Sequence, residues 1–356
     1  MPSMGLNIQV EKTVNSKLPN VQWDNLIFGR TFSDHMFVAD YSDGQWHSLR
    51  IMPYGPMQVD PSISAIHYGQ SIFEGLKAFK TGDDRVLIFR PEANAKRLNR
   101  SAERMCMANL PEEIFMEGLT QLLSLDRGWI SSRPGYSLYI RPFMFATENY
   151  LGIKPSDSYR FMIITSPVGA YYDGAIAVKV ETRFTRASPG GTGQAKAAGN
   201  YAASLYPARL AQQEGYRQLI WTDAKEHAYI EESGTMNLFA VINGILHTPP
   251  LQSETILPGI TRDSILTIAR FWGMEVAEAP LSVQELREAI VEGSLSELFG
   301  AGTAATIAQI EKIHILGDDF VLPKVDDRPF SNKVAGYLND MKRGATEDVF
   351  GWVTEV

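Results

Sequence analysis

Residues 189–204 read PGGTGQAKAAGNYAAS, and the assignment of the chain turns on them. Four glycines and five alanines surround a single lysine, Lys196, so backbone and methyl groups rather than a solvated polar face are expected around its ammonium. Desolvation disfavours the charged form, and a lysine held in this way offers a free amine that can attack a carbonyl and form a Schiff base. The stretch is expected to follow a strand over 175–186, where Val178, Val180, Thr182 and Phe184 alternate, and to lead into a helix. A glycine-rich turn at such a junction is more often a nucleotide-binding or purely structural turn, and both nucleotide motifs can be tested on the letters. A dinucleotide fingerprint takes Gly191 and Gly193 as its first two glycines, but its third place is Lys196. A triphosphate-binding loop needs Gly-Lys-Ser/Thr, and Lys196 is flanked by Ala195 and Ala197. Neither motif fits.

A chain of 356 residues can bury two medium cores, and two domains are expected. Hydrophobic residues make up 44% and charged residues 21%, the balance of an ordinary folded protein. The formal net charge of -8 argues against a surface built for nucleic acid. The single cysteine, Cys106, rules out an intrachain disulfide and a cysteine zinc cluster, which suits a reducing cytoplasm. No apolar run has the length of a signal sequence or a membrane span, so a cytoplasmic protein without membrane contact is expected. The six histidines have no metal-ligand spacing, and no metal is expected.

The N-terminal half reads as strands with two helices. Asp43-Gly44 between apolar runs marks a hairpin, and Thr81-Gly82-Asp83-Asp84 marks another turn. Pro91 opens a helix containing Arg97, and a second helix runs through EEIFMEGLTQLLSLD. YSLYIRPFMF and YRFMIITSPV are strands, and residues 169–174 look like a linker. Pro207 is expected in the first turn of the helix after Lys196. QLIWTD, AYIEESGTMNLFAVI and GILHTP read as consecutive strands, and LPGITRDSILTIARFW as a loop entering a helix. LSELFGAGTAATIAQIEKI reads as strands broken at Gly300, Gly302 and Thr303.

Three features bear on Lys196. Pro258-Gly259-Ile260-Thr261 ahead of a helix presents N–H groups and a hydroxyl at the positive end of a dipole, a place for phosphate. Gly300-Ala301-Gly302-Thr303-Ala304 offers similar groups, although each loop taken singly is an ordinary cap or turn. Glu232 lies among strand residues, where a carboxylate usually faces solvent but beside a ring nitrogen could keep that nitrogen protonated. A Schiff-base lysine, a phosphate cup and a carboxylate for a pyridinium are the parts that pyridoxal 5'-phosphate needs from a protein.

With these features in place, the sequence resembles the branched-chain amino acid aminotransferases of the fold type IV class. The resemblance runs from FGRTFSDHM to GAGTAATI and includes, in order, YGQSIFEGLKAFK, FRPEANAKRLNRSA, SLYIRP, PVGAYY, KAAGNYAAS, EESGTMN and LPGITRDS. It implies a mixed α+β and α/β, two-domain fold, D-amino acid aminotransferase-like. The expected division is a small N-terminal α/β domain over 1–168, an interdomain linker over 169–176 and a large C-terminal domain over 177–356 carrying the lysine. It implies reversible transfer of the amino group of L-leucine, L-isoleucine or L-valine to 2-oxoglutarate, and a homodimer.

By the same resemblance Lys196 would hold the cofactor and move the proton at the substrate α-carbon, and Glu232 would pair with the pyridinium nitrogen. Tyr201 would bond the phenolic oxygen, and Thr235 would lie beside the ring. Arg97, Ile260, Thr261 and Thr303 would hold the phosphate. Phe28, Tyr68, Phe73, Tyr139 and Tyr171 would wall the substrate pocket, with Arg141 for the side-chain carboxylate of glutamate and with Thr303 and Ala304 for the α-carboxylate. Core packing is the usual role of strand aromatics, and only the motif match assigns these to a pocket. Tyr68 would come from the neighbouring subunit. Ala305 and Ala308 stand where mammalian members carry a redox-active cysteine pair, which excludes that thiol switch here.

Two alternatives stand beside this reading. A D-amino acid aminotransferase or aminodeoxychorismate lyase of the same fold shares the lysine and glutamate, but YGQSIFEG and SLYIRP speak against it. A non-catalytic nucleotide-binding protein would use the glycine-rich loop with Asp223 on a ribose.

Overall fold

The computed structural model describes residues 6–169 and 174–356. Its backbone forms two compact units, one of Met1–Tyr171, Ala195–Ala198 and Asp340–Val356, the other of Tyr172–Gln194 and Gly199–Asn339.

The first unit contains β1 (Gln9–Val10), β2 (His35–Ser42), β3 (Gln45–Pro53), α1 (Ser64–Tyr68), β4 (Ser71–Phe73), β5 (Leu76–Lys80), β6 (Val86–Phe89), α2 (Pro91–Arg104), α3 (Glu112–Leu125), β7 (Ser137–Ala146) and β8 (Tyr159–Val168). Asp43 and Gly44 both take positive φ, 53° and 79°, the conformation that lets a two-residue turn follow the twist of β2 and β3. Pro91 starts α2, where its missing N–H costs nothing, and Ala95, Leu98 and Ala102 bring one face of the helix into the core. On β7, Leu138, Ile140 and Met144 enter that core, so alternation turns Tyr139 and Arg141 to the opposite face.

The second unit contains β9 (Ile176–Val180), α4 (Ala198–Gln213), β10 (Gln218–Thr222), β11 (Ile230–Ser233), β12 (Met236–Ile242), β13 (Ile245–Thr248), α5 (Ile260–Phe271), β14 (Val276–Glu278), α6 (Val283–Val291), β15 (Leu295–Gly302), β16 (Thr306–Ile315), β17 (Asp318–Val321) and all but the last turn of α7 (Pro329–Lys342). The pairings β9–β10, β10–β11, β11–β12, β12–β15, β15–β16 and β16–β9 close on themselves into a barrel. β13 and β14 extend from β12, and β17 pairs with β16.

The last strand, β18 (Val353–Glu355), returns to the first unit and pairs with β6, giving the sheet order β1-β3-β2-β8-β7-β5-β6-β18 with β4 on β7. The compact units are therefore less simple than a single cut at 169–176, of which residues 170–173 lie outside the described ones. The tail joins the first unit through the β18–β6 ladder, and Ala195–Ala198 does so through a bridge between Ala197 and Ile72.

Four sequence expectations need correction. The strand expected over 175–186 ends at Val180, because the Glu181 carboxylate accepts the N–H groups of Arg183 and Phe184 and curls the chain. Pro207 lies inside α4 rather than in its first turn; its ring is buried on the face shared with Ala211, and packing there offsets the lost helical bond. AYIEESGTMNLFAVI is two strands, folded back at Gly234-Thr235 so that Glu232 pairs with Asn237. β15 runs through Gly300 to Gly302, and at Gly300 the strand packs against the Met236 side chain, whose Cε would lie 2.8 Å from an added Cβ. Among the described residues no helix is long and apolar enough to cross a membrane, and no group of His, Cys, Asp and Glu could hold a metal.

Candidate active site

Lys196 is held by its backbone in the first unit. Its N–H donates to Ser101 Oγ (2.9 Å), and its carbonyl accepts the Phe73 N–H (3.1 Å). The ammonium stands over the Phe73 ring, with Nζ 4.8 Å from the centroid. The expected methyl and backbone wrapping is thus supplemented by an aromatic face, which attracts a cation and sheds water.

Behind that ring is a fully buried carboxylate. Glu74 accepts Arg97 Nε on one oxygen and Arg97 Nη2 on the other, both at 2.8 Å, together with Asn94 Nδ2 at 2.7 Å. Burial pushes the Glu74 carboxyl up, but the Arg97 guanidinium, and beyond it the Lys196 ammonium, hold it below the usual carboxylate range. Asn94 and Arg97 stand three apart on α2 and reach the same acid. The sequence reading gave Glu74 no role. The polar pair inside an apolar helix face was the available sign that a buried acid lay opposite.

The aromatic wall begins beside this group. Phe28 meets Tyr139 edge-on at 4.9 Å between centroids. Arg141 donates to Tyr139 Oη (2.9 Å) and stacks its guanidinium 4.7 Å over the Phe73 ring. Its buried Nε–H has no acceptor among the described residues. A Cβ at Gly75 would lie 2.3 Å from Tyr139 Oη, so this approach requires glycine. The structure therefore groups Phe28, Phe73, Tyr139, Arg141 and Lys196. Tyr68 takes another partner: it is 48% exposed and donates to the Leu151 carbonyl (2.6 Å). Tyr171 lies outside the described residues.

The second unit holds the remaining residues, Glu232 among them. One of its oxygens accepts the Leu257 N–H (2.8 Å) and Asn237 Nδ2 (3.3 Å), and the other faces Arg186 Nε at 3.2 Å. Asn237 also donates to the Leu257 carbonyl (3.0 Å), so the loop entering α5 is tied to Glu232 through both backbone groups of one residue. Two residues on, Gly259 is the N-cap of α5, and no side chain caps that helix. Ile260, Thr261 and Arg262 are buried in its first turn. A Cβ at Gly259 would lie 1.9 Å from Asn237 Oδ1. The register Asn237↔Ala301 brings the turn holding Thr303 and Ala304 to the same end of the barrel. Thr235 is exposed at the β11–β12 turn, and Tyr201 is half-buried in the first turn of α4.

Each unit taken by itself holds groups whose chemistry fits a part of pyridoxal phosphate. α5 presents N–H groups at the positive end of its dipole with no carboxylate or hydroxyl cap to satisfy them, which suits a phosphate. Glu232 is a buried carboxylate suited to a ring N–H, and Lys196 is an amine on a platform that disfavours solvent.

The comparisons with known proteins agree. The model of the family described as Amino-transferase class IV matches residues 71–313. The chain is 47% identical over 354 residues to the branched-chain-amino-acid transaminase 1 of Bacillus subtilis, covering 98% of this chain and 99% of that protein. It is 44% identical over 353 residues to the branched-chain-amino-acid aminotransferase 2 of the same organism, covering 98% and 97%. The crystal structure of the Escherichia coli branched-chain amino acid aminotransferase superposes with a TM-score of 0.74 at 29% identity, covering 90% of this chain and 98% of that one. The family match and these relatives, on a fold type IV architecture, define a pyridoxal-phosphate-dependent transaminase. The chain belongs to the class IV aminotransferases, in the branched-chain amino acid group of that family.

Proposed function

We propose that the protein transfers the amino group of L-leucine, L-isoleucine or L-valine reversibly to 2-oxoglutarate, giving the branched 2-oxo acid and L-glutamate. One observation carries the substrate assignment: a half-buried guanidinium, Arg141, set into a wall of Phe28, Phe73 and Tyr139 with its buried Nε–H unclaimed among the described residues. An aliphatic side chain gains from the rings, and the second carboxylate of glutamate finds a cation. A pocket serving both amino donors needs both properties.

Pyridoxal phosphate, when bound, supplies the carbonyl that exchanges amines and a ring that draws electrons from the substrate α-carbon. Lys196 is the residue that carries it and then, as a free amine, takes the proton from that α-carbon. Glu232 keeps the ring nitrogen protonated, because an anion beside a pyridinium favours its charged form. Arg97, aimed by Glu74, holds phosphate, as do the N–H groups of Ile260 and Thr261, the Thr261 hydroxyl and Thr303. Tyr201 bonds the phenolic oxygen, and Thr235 lies beside the ring. Thr303 and Ala304 receive the α-carboxylate through backbone N–H groups.

The working form is a homodimer in which Tyr68 serves the neighbouring subunit. The support is a cluster of exposed apolar residues around it, namely Ile66, Tyr150, Leu151 and Ile153, the last 88% exposed. Small amino and oxo acids are its partners, with neither nucleic acid nor membrane. A single cysteine suits a cytoplasmic setting.

The test is a visible spectrum of the purified protein, taken before and after L-leucine and then 2-oxoglutarate. A band that is lost with leucine and restored by 2-oxoglutarate supports the reading. A coloured protein indifferent to L-leucine overturns the substrate assignment, and a colourless one after incubation with pyridoxal phosphate overturns the role of Lys196.

A further inference from the structure

Next to Glu232 on β11 stands a second buried acid, Glu231, 5% exposed. The two carboxyls are provided for unequally. Glu232 accepts the Leu257 N–H and Asn237 Nδ2, and its other oxygen is ion-paired at 3.2 Å, without hydrogen-bond geometry, with Nε of Arg186, whose side chain is 8% exposed. Glu231 accepts one hydroxyl, from Thr255, on one oxygen, and its other oxygen is buried with no hydrogen-bond partner. The Thr255 hydroxyl is itself fed by Ser253, whose oxygen is 2.7 Å away. Arg186 also donates to the Thr255 carbonyl, so one guanidinium is fixed against both the Glu232 carboxylate and the segment that reaches Glu231.

Two buried carboxyls beside one guanidinium cannot both ionise cheaply, because the second charge would be desolvated without compensation. Better donors decide which one carries the charge, and they belong to Glu232. Burial pushes the Glu231 carboxyl up, against the Thr255 hydroxyl and Arg186, and the charges of Glu232 and Asp223 add to the rise.

We propose that Arg186 and Glu231 form a positioning pair for Glu232: the guanidinium holds the Glu232 carboxylate ionised and aimed, and Glu231, carrying a proton, leaves that guanidinium to Glu232. This rests on the reading of Glu232 as the partner of the cofactor ring nitrogen. Ionising Glu231 draws Arg186 toward a second anion and loosens its hold on the first. The state of a residue that touches no cofactor then sets how firmly the cofactor is bound.

The experiment measures the apparent Kd for pyridoxal phosphate, by absorbance of the full-length protein, across pH for the wild type, R186K, R186M, E231Q and E232Q. R186M is expected to weaken binding about tenfold near neutral pH, and R186K to recover most of that loss, since a lysine restores the charge without the fork. In the wild type affinity declines as pH rises through the raised ionisation of Glu231, and E231Q, which cannot ionise, flattens that decline. If E231Q follows the wild-type profile, or R186K binds no better than R186M, the proposal is overturned. If R186M does not fold, the E231Q profile decides by itself. E232Q distinguishes the two levels: wild-type affinity and spectrum in E232Q would remove the reading of Glu232 and the proposal with it. A weakened E232Q beside an E231Q that tracks the wild type removes the proposal alone.

Discussion

Glu74 grips Arg97 with both carboxylate oxygens, each at 2.8 Å, in a position with no solvent exposure. The planar guanidinium is thereby fixed in orientation as well as place, which a single contact would not do. Glu74→Gln leaves Arg97 buried without its counter-charge, and breaking such a pair costs about 3–5 kcal/mol. A fall in the denaturant midpoint together with weaker pyridoxal phosphate binding is expected. An unchanged midpoint would show that Arg97 has another anchor.

Lys196→Ala removes the amine but keeps the backbone bonds to Ser101 and Phe73. The variant is expected to fold, by circular dichroism, and to lose both the visible band and transamination. Steady-state turnover in this variant would assign the chemistry to another residue.

Arg141→Ala separates the two half-reactions. Only glutamate and 2-oxoglutarate bring a second carboxylate, and a charge-assisted hydrogen bond is worth enough for a loss of about 10- to 100-fold in kcat/KM. Leucine loses no carboxylate contact, only a wall in which the guanidinium stacks on Phe73 and donates to Tyr139 Oη. Single-turnover rates with each substrate check this, and equal losses would contradict it.

Gly259→Ala drives a Cβ into Oδ1 of Asn237, the residue whose Nδ2 donates to both the Leu257 carbonyl and Glu232. Overpacking of this kind costs about 1–3 kcal/mol. The functional expectation is larger than the loss of stability, because the first turn of α5 and Glu232 shift together. Titration with pyridoxal phosphate at a temperature well below the unfolding midpoint measures it; unaltered affinity would mean that the turn absorbs the methyl group.

The first unit holds one buried lysine in its tail, Lys342, and one half-buried lysine in its sheet, Lys77. Burial pushes Lys342 down to about 7 and Lys77 to about 8, each below the ordinary lysine value. Below those values the folded state bears charges in a poor solvent, whereas the unfolded chain holds its protons up to about pH 10.4. Between these limits the unfolded state binds more protons, so the contribution to stability rises as pH goes from about 7 toward 10. Lys342→Met is expected to raise the melting temperature at pH 6 by a few degrees and to lose that advantage near pH 10. Melting curves at the two pH values test the sign, and an advantage independent of pH would refute it.

Much of the site was legible in the letters because its parts are local. A helix beginning at Pro91, a loop ending in Pro258-Gly259 before α5 and a lysine among glycines and alanines each carry their own backbone instruction within a few residues. Their chemistry followed from residue type. The long reading of AYIEESGTMNLFAVI failed because strand propensity does not say where a ladder folds back, and only the pairing of β11 with β12 sets Asn237 opposite Glu232.

The sequence by itself determined the class of chemistry, the cofactor and most of the elements, since periodicity, turn residues and reactive side chains are written in short windows. Tertiary structure alone decided that a four-residue piece around Lys196 joins the first unit, that β18 completes its sheet, and that Glu74 takes Arg97 while Arg186 takes Glu232. Those pairings span 23 and 46 residues, respectively. Which buried acid meets which buried base is fixed by desolvation and packing across the folded chain, and no local preference encodes it.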